Sequence, residues 1–371
     1  MAERVVVGMS GGVDSSVTAA RLVDQGFDVV GVTLHLWDEP DPTRHSRCCA
    51  PEDIRDAKRV ADHLGIPHYT LDRKRAFASS IVEPFVEGYL QGVTPSPCAH
   101  CNATIKFPAL LRLAHLVGAP WVATGHYARV VRSAGGELRI ARGIDHAKDQ
   151  SYFLHALGPG TLSRLRLPLG ESRKPDVRDE ALRRGLAGAG KGESQDLCIV
   201  PDGDYAAFVE AHAQGRLRKG DIVDGQGRVL GQHGGVHKFT IGQRKGLGIA
   251  AGRPLFVARI DASRAEVVVD DDDALMAAGV IVPAPRLASG ATLPARAVVR
   301  VRYRHEGTPA RLEAEGTALR VTFDQPVRAA SRGQVAVAYD GDLVIGGGVI
   351  GEVIPWRGCG LGAADGTMGS C

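Results

Sequence analysis

The sequence predicts an α/β protein: an N-terminal domain built on a parallel sheet, then a small central domain and a C-terminal antiparallel β-barrel. Three observations carry that prediction. From residue 4 to about residue 125, short β-branched runs alternate with stretches of helical apolar spacing, the pattern of βαβ units in a parallel sheet. From about residue 206 the chain becomes glycine-rich with short strand candidates, and from 280 to 352 apolar residues recur at every second position. At 371 residues the chain exceeds one ordinary core, so the expected division is 1–205, 206–279 and 280–356, with 357–371 a disordered Gly-rich tail.

The first βα unit is the most informative. Val5-Val6-Val7-Gly8 flows into Met9-Ser10-Gly11-Gly12-Val13-Asp14-Ser15, after which Val13, Val17 and Ala20 fall at helical spacing. Glycines there let the backbone approach a ligand, and the first amides of a helix are unsatisfied donors at its positive end, so the loop suits phosphate. No lysine followed by Ser or Thr closes it, and the G-x-G-x-x-G spacing is missing, which sets aside the Walker A and dinucleotide loops. Its Ser-Gly-Gly-x-Asp-Ser signature resembles the PP-loop of the adenine nucleotide alpha hydrolases, which binds ATP and expels pyrophosphate. The plainer alternative is a glycine-rich turn in which Asp14 and Ser15 cap the helix.

Residues 27–36 read as a second strand, 51–64 as a helix with Ile54, Ala57, Val60, Ala61 and Leu64 on one face, and 68–71 as a third strand. Parallel sheets bind ligands at the carboxyl ends of their strands, so function is expected in the loops that follow them.

Bulk properties bound the class of protein. With 44% hydrophobic and 23% charged residues, no apolar run long enough to span a bilayer, and Met1-Ala2-Glu3-Arg4 leading straight into a strand, the sequence reads as soluble and cytoplasmic, with no membrane partner. Seven cysteines are too few for a disulfide framework in so long a chain and are better candidates for chemistry. The net charge of +3 leaves a nucleic-acid partner to be met by a local patch, and 286–332 supplies one, with nine arginines against four acids.

The thiols fall in distinct settings. Cys48-Cys49 lies in a loop and supports no functional assignment. Thr94-Pro95-Ser96-Pro97-Cys98-Ala99-His100-Cys101-Asn102 is a proline-stiffened turn presenting a C-x-x-C. A redox pair, a metal half-site and a single nucleophile with a bystander all remain open on spacing alone. The spacing predicts a helix over 103–116, interrupted by Pro108, and a cysteine just before a helix start has its thiolate favoured by the dipole. Trp121 begins a strand that ends in Gly125-His126, and Lys148-Asp149-Gln150-Ser151-Tyr152 follows a hairpin. Cys198 follows the polar Glu193-Ser194-Gln195-Asp196, and by itself reads as a small buried cysteine. Strand candidates continue at 229–230, 238–241 and 255–257. Thr240 to Gly248 is a basic glycine-rich loop that suits phosphates or a tight hairpin, and the acidic run Asp270 to Asp273 marks a domain border.

In their order and joint presence, these motifs make the chain similar to the bacterial tRNA-specific 2-thiouridylase family, which thiolates the wobble uridine (position 34) of certain tRNAs. The resemblance implies a PP-loop domain, a central domain and a C-terminal β-barrel. It implies ATP contacts at Gly8, Met9, Ser10, Gly11, Gly12, Val13, Asp14 and Ser15, with Leu34 and Gly125, and a catalytic part for Asp14. It implies the target base near Ser96, Pro97 and Cys98, and tRNA contacts at His126, Lys148, Asp149, Gln150, Arg302, Tyr303 and Gln334. Cys101 matches the nucleophile and Cys198 the persulfide carrier, and the resemblance implies a transient disulfide between the two. In that reading ATP, with Mg²⁺ expected, adenylates the C2 oxygen of uracil. Sulfur then arrives from a persulfide donor, a cysteine desulfurase or relay protein, and AMP and pyrophosphate leave. One departure stands out: Ser96-Pro97-Cys98 occupies the place of the family's Asn-Pro-Asp and adds a third thiol. Two alternatives remain: another PP-loop ATP pyrophosphatase acting on a small substrate, and an iron–sulfur-dependent tRNA thiolase using Cys98, Cys101 and Cys198. The favoured reading needs neither that cluster nor any protein-held metal.

Overall fold

The computed structural model describes residues 2–38, 51–188, 197–200 and 203–357. Cys48, Cys49, the polar loop at 193–196 and the cysteine-bearing tail lie outside them.

The N-terminal elements are β1 (Arg4–Gly8), α1 (Val13–Asp24), β2 (Asp28–His35), α2 (Pro51–Leu64), β3 (His68–Asp72), α3 (Lys74–Phe77), α4 (Glu83–Leu90), α5 (Pro97–Cys101), α6 (Phe107–Leu116) and β4 (Trp121–Ala123). A hairpin follows, β5 (Ala128–Arg132) and β6 (Leu138–Arg142), then α7 (Pro159–Leu162), β7 (Leu165–Arg166), α8 (Lys174–Arg183) and α9 (Tyr205–His212). The sheet order is β3-β2-β1-β4-β7, parallel throughout. Val5, Val6 and Val7 are all fully buried: Val5 and Val7 join the layer of α1, α2 and α8, and Val6 the opposite layer with Phe107 and Leu110 of α6. A strand covered on both faces has to read as an unbroken apolar run, as this one does.

The helix expected at 103–116 begins earlier, at Pro97. It runs through α5 and a π-helical turn at Asn102–Lys106 into α6. Pro108 has no amide hydrogen for an i−4 carbonyl, and the wider turn just before it accommodates that loss without breaking the helix.

The central sheet has the order β10-β11-β8-β9, made of β8 (Gly220–Asp224), β9 (Val229–His233), β10 (Phe256–Asp261) and β11 (Glu266–Asp270). Residues 238–241 are not the expected strand. A 3₁₀ turn spans Val236–Lys238, and the buried Val236 and Phe239 fall three residues apart, the repeat of a 3₁₀ turn rather than a strand.

Past the acidic run come β12 (Met276–Val282), β13 (Arg286–Leu287), β14 (Arg296–Arg300), β15 (Thr308–Glu315), β16 (Ala318–Arg328), β17 (Val335–Asp340), β18 (Leu343–Val349) and β19 (Glu352–Pro355). They form one antiparallel sheet, in the order β19-β12-β16-β15-β14-β17-β18-β6-β5 with β13 also on β18. The hairpin β5–β6, from the N-terminal stretch, extends this sheet. Leu343 pairs with Ala141, the Arg142 amide donates to the Asp342 carbonyl at 2.9 Å, and Arg129 bonds the Asp342 carboxylate at 2.8 Å. Among the described residues no helix is long and apolar enough to cross a membrane.

Candidate active site

The loop between β1 and α1 is held open by its own side chains. The Ser10 amide donates to Ser15 Oγ at 3.1 Å, while Ser15 Oγ and Ser16 Oγ donate to the Gly12 carbonyl at 3.0 and 2.9 Å. Gly12 is the N-cap of α1, and no side chain caps the helix. Asp14 and Ser15 are therefore not caps, and the first amides of α1 stay available to an anion. Gly11 has φ +74°, and a Cβ there would lie 2.3 Å from the Asp53 carbonyl oxygen in the first turn of α2. Only glycine fits that turn under that helix.

Two further strands bring their ends to this loop. β1 lies between β2 and β4, where the sheet's build reverses, the usual place for a ligand in an open α/β sheet. Gly125, just past β4, lies so close to the start of α1 that a Cβ would sit 2.8 Å from the Asp14 carbonyl carbon. Leu34, near the end of β2, is half-buried on the other side.

Asp14 is the electrostatic centre of the loop. Lys174 Nζ donates to both of its carboxylate oxygens at 2.7 Å, and the Tyr127 hydroxyl donates to Oδ1 at 2.8 Å. Tyr127 is fixed from behind by Gln150: the Tyr127 amide donates to Gln150 Oε1 at 3.0 Å, and the Gln150 amide to the Tyr127 carbonyl at 2.8 Å. Beside this clamp opens a cleft of about 650 Å³ whose lining includes His146, Lys148, Arg173, Lys174 and Arg178 against Asp145 and Asp179. That surplus of cations suits a polyanion. Sequence reasoning missed Lys174 and left Tyr127 without a role. A signal existed: Arg173 and Lys174 open helix α8, the end at which the dipole disfavours cations.

Cys98 and Cys101 lie one turn apart on α5. Because the helix begins at Pro97, Cys98 rather than Cys101 occupies its first turn, so the expected dipole effect passes to Cys98. Cys101 is 4% exposed within a core cluster that includes Phe77, Ile105 and Ile199, and half-buried Cys198 and Leu34 pack against the same cluster. Thiols far apart in sequence thus meet one core at the carboxyl edge of the sheet. Next to Cys101, Asn102 donates from Nδ2 to the Phe153 carbonyl at 3.2 Å, and its buried Oδ1 has no hydrogen-bond partner. Among the described residues no three His, Cys, Asp or Glu side chains converge to hold a metal ion.

The expected tRNA contacts fall into three settings. Ser96 and Pro97 are half-buried at the start of α5, and the segment before them is tied to the C-terminal sheet. The Thr94 amide donates to the Arg332 carbonyl at 3.1 Å, and Gln334 Nε2 donates to the Thr94 and Pro95 carbonyls at 3.1 and 3.4 Å. His126 bonds Thr124 Oγ1 through Nδ1 at 2.8 Å and stacks on Phe107 of α6 with centroids 6.0 Å apart. Burial, reinforced by the Lys106 charge, pushes its imidazole down to about 3, so at neutral pH it offers a stacking surface and hydrogen bonds but no charge.

Lys148 faces the cleft, whereas Asp149 is buried and accepts from the Gly143 amide at 3.2 Å, from the Ser151 amide and hydroxyl at 3.0 Å each, and from Arg300 Nη1 at 2.9 Å. Its carboxylate is committed to the protein itself. Arg302 donates to the Arg328 carbonyl at 2.8 Å, and Tyr303 packs on Phe153 with centroids 4.5 Å apart. The basic stretch is less concentrated than its composition suggests. Five of its nine arginines (Arg296, Arg300, Arg311, Arg320 and Arg328) pair with carboxylates, two of them, Asp149 and Asp272, from outside the stretch.

A parallel sheet with an uncapped Ser-Gly-Gly-x-Asp-Ser loop at its switch point defines a PP-loop domain, the adenine-nucleotide-using branch of the HUP fold. Family models match three parts of the chain. Residues 3–202 match the tRNA methyl transferase HUP domain, 206–271 the tRNA methyl transferase PRC-barrel domain, and 280–350 the aminomethyltransferase beta-barrel domain. Two relatives described as tRNA-specific 2-thiouridylase MnmA are close over almost their whole length. The one from Sorangium cellulosum is 56% identical over 94% of this chain and 92% of its own, and that from Solibacter usitatus 46% identical over 93% and 98%. The chain belongs to the tRNA-specific 2-thiouridylase family.

Proposed function

We propose that the protein is an ATP-dependent tRNA-uridine 2-sulfurtransferase acting on the wobble uridine of tRNA in the cytoplasm. The observation that carries this reading is the meeting of Cys101, Cys198 and Leu34 on one core cluster at the edge of the sheet whose first loop holds Asp14. A small-substrate synthetase needs the loop but has no use for two thiols on one core at that edge.

In this reading Gly8 to Ser15, with Leu34 and Gly125, bind ATP. The C2 oxygen of uracil is a poor leaving group, so it attacks the α-phosphate, and pyrophosphate departs toward the amides of α1 and the basic cleft. Mg²⁺ would be held there by phosphate oxygens beside Asp14, whose two carboxylate oxygens Lys174 also holds, and it would neutralise phosphate charge. Lys174 holds the Asp14 carboxylate and adds its own charge to that end of the site. Sulfur reaches Cys198 as a persulfide from a desulfurase or relay protein. Its terminal sulfur displaces AMP from C2, and the Cys101 thiolate then attacks Cys198 Sγ, freeing the thiouridine and leaving a Cys101–Cys198 disulfide that an external dithiol reduces. In the variant order, Cys101 attacks the persulfide first and hydrosulfide does the displacement. The target base lies near Ser96, Pro97 and Cys98. His126, Lys148 and Gln150, with Arg302, Tyr303 and Gln334 and the domains at 206–279 and 280–356, receive the tRNA. Asp149 acts in that contact by shaping its loop.

The test is nucleoside mass spectrometry on unmodified tRNA incubated with the protein, ATP, Mg²⁺ and a persulfide donor. 2-Thiouridine should form with wild type and not with Cys101→Ala or Cys198→Ala. Full thiolation by Cys198→Ala would remove the sulfur route at its centre.

A further inference from the structure

We propose that the buried Arg300–Asp149 ion pair couples tRNA binding to the nucleotide loop, with Arg300 as a positioning residue for both. The inference rests on the proposed function above, namely on Lys148, Gln150, Arg302 and Tyr303 meeting tRNA and on the Asp14 loop binding ATP. The pair is 2.9 Å long, with the arginine side chain 10% exposed and the aspartate 1%.

Each end of the pair shapes one of the two tRNA-facing segments. Arg300 Nε donates to the His305 carbonyl at 2.7 Å and Nη2 to the Tyr303 carbonyl, so the guanidinium fixes the turn that presents Arg302 and Tyr303. Asp149 accepts from the Gly143 and Ser151 amides and from the Ser151 hydroxyl, so its carboxylate fixes the loop that carries Lys148 and Gln150. From there the contacts continue without a break. Gln150 bonds the Tyr127 backbone in both directions, and the Tyr127 hydroxyl reaches Asp14. Hydrogen bonds, joined by the covalent Asp149–Gln150 link and the Tyr127 side chain, therefore connect the Tyr303 carbonyl to the Asp14 carboxylate.

The ion pair's chemistry suits positioning better than stability. A buried ion pair contributes little net stability over apolar groups of the same volume, while breaking it strands a charge, so such a pair holds two segments in one arrangement. These segments come from parts of the chain 151 residues apart. Contiguity alone does not establish coupling. Linkage supplies the measurable quantity: the factor by which tRNA tightens nucleotide binding must equal the factor by which nucleotide tightens tRNA binding.

The experiment titrates full-length protein with α,β-methylene-ATP and Mg²⁺, and with unmodified tRNA bearing U34, each alone and in the presence of the other. Wild type should show a coupling factor on the order of tenfold, the same in both directions. In Arg300→Gln the factor should fall to within about twofold of unity while nucleotide binding without tRNA is retained. Asp149→Asn should behave alike, the double variant should lose no more than either single one, and Arg300→Lys, which keeps the charge but loses the fork, should be intermediate. Wild-type coupling retained in Arg300→Gln, or a coupling factor of one in wild type, would overturn the proposal even if thiolation is intact. A wild-type protein that neither binds nor thiolates tRNA would instead overturn the underlying functional reading. If Arg300→Gln fails to bind nucleotide because it does not fold, Asp149→Asn and Arg300→Lys decide: reduced coupling in both supports the proposal, and undiminished coupling in both overturns it.

Discussion

Lys174 sits at the start of a helix, against the dipole, and what holds it there is the Asp14 carboxylate. Removing its charge while keeping its length, in Lys174→Met, leaves Asp14 with the Tyr127 hydroxyl and takes one cation from the lining of the basic cleft. Loss of one such charge typically slows chemistry by about 10²–10³-fold. tRNA-dependent pyrophosphate release in Lys174→Met should fall by that much at a temperature where the variant is folded; a normal rate would make the lysine purely structural. The three thiols should divide differently. Cys101 and Cys198 share a core cluster, whereas Cys98 is half-buried a turn earlier, where no metal-binding group forms among the described residues. Cys98→Ala should therefore keep thiolation within about threefold, as expected for a tolerated residue at the base-contact position whose thiol takes no part in sulfur transfer. Loss of activity together with loss of bound iron after anaerobic purification would bring back the three-thiolate alternative.

The strand–loop–helix unit at the head of the chain works because of how its neighbour packs on it. Gly11→Ala would place a methyl 2.3 Å from the Asp53 carbonyl at a φ of +74°, so either the loop or α2 has to move. Such strain costs about 1–3 kcal/mol, and nucleotide affinity should drop with it. In Gly12→Ala the new methyl meets nothing nearer than Ser10 Oγ at 3.5 Å, so stability should scarcely change. Denaturant unfolding and nucleotide titration of the pair check this, and equal effects at both positions would remove the steric explanation. The unit's existence was legible in the sequence because strand burial, glycine placement and helical spacing are local. The features that escaped are those whose cause lies elsewhere in the chain or in unusual local geometry. The helix start at Pro97 hides behind prolines and a π turn, and 238–241 imitates a strand because Val236 and Phe239 follow a 3₁₀ repeat. Hairpin β5–β6 finds its sheet through Asp342 and Leu343, far along the chain, and the arginine-rich stretch is partly neutralised by Asp149 and Asp272, neither visible within it. For the same reason the loop's ligand class could be read from residues 8–15, but not the Lys174 that reaches it from α8.

At the scale of the molecule, the N-terminal domain and the C-terminal sheet are joined along a seam of buried polar groups, and three histidines, His155 and His305 at that seam and His126 beside the nucleotide loop, respond to acid in the same sense. Burial, with the Lys106 charge added, pushes His126 down to about 3. Burial followed by the Arg302 and Arg300 charges pushes His305 down to about 4. Burial also lowers His155, whose ring lies against Gly347 of β18 and whose Nδ1 bonds the Tyr152 carbonyl at 2.9 Å. In the unfolded chain each imidazole takes a proton near pH 6.5, so below that pH the unfolded state binds protons that the native state refuses. The resulting stability is fully present above about pH 6.5 and is lost as the pH falls toward the folded values near 4 and 3. Carboxylates enter only below about pH 4.5, which leaves the window from 6.5 to 4.5 to the histidines. Calorimetric melting across that window should show a falling transition temperature, and His305→Gln should flatten part of the slope, because glutamine has no proton to take up when the turn at 300–305 opens. A transition temperature constant from pH 7 to 4.5 would mean that the imidazoles are protonated within the folded protein, and the seam would then be open to water in a way its burial does not allow.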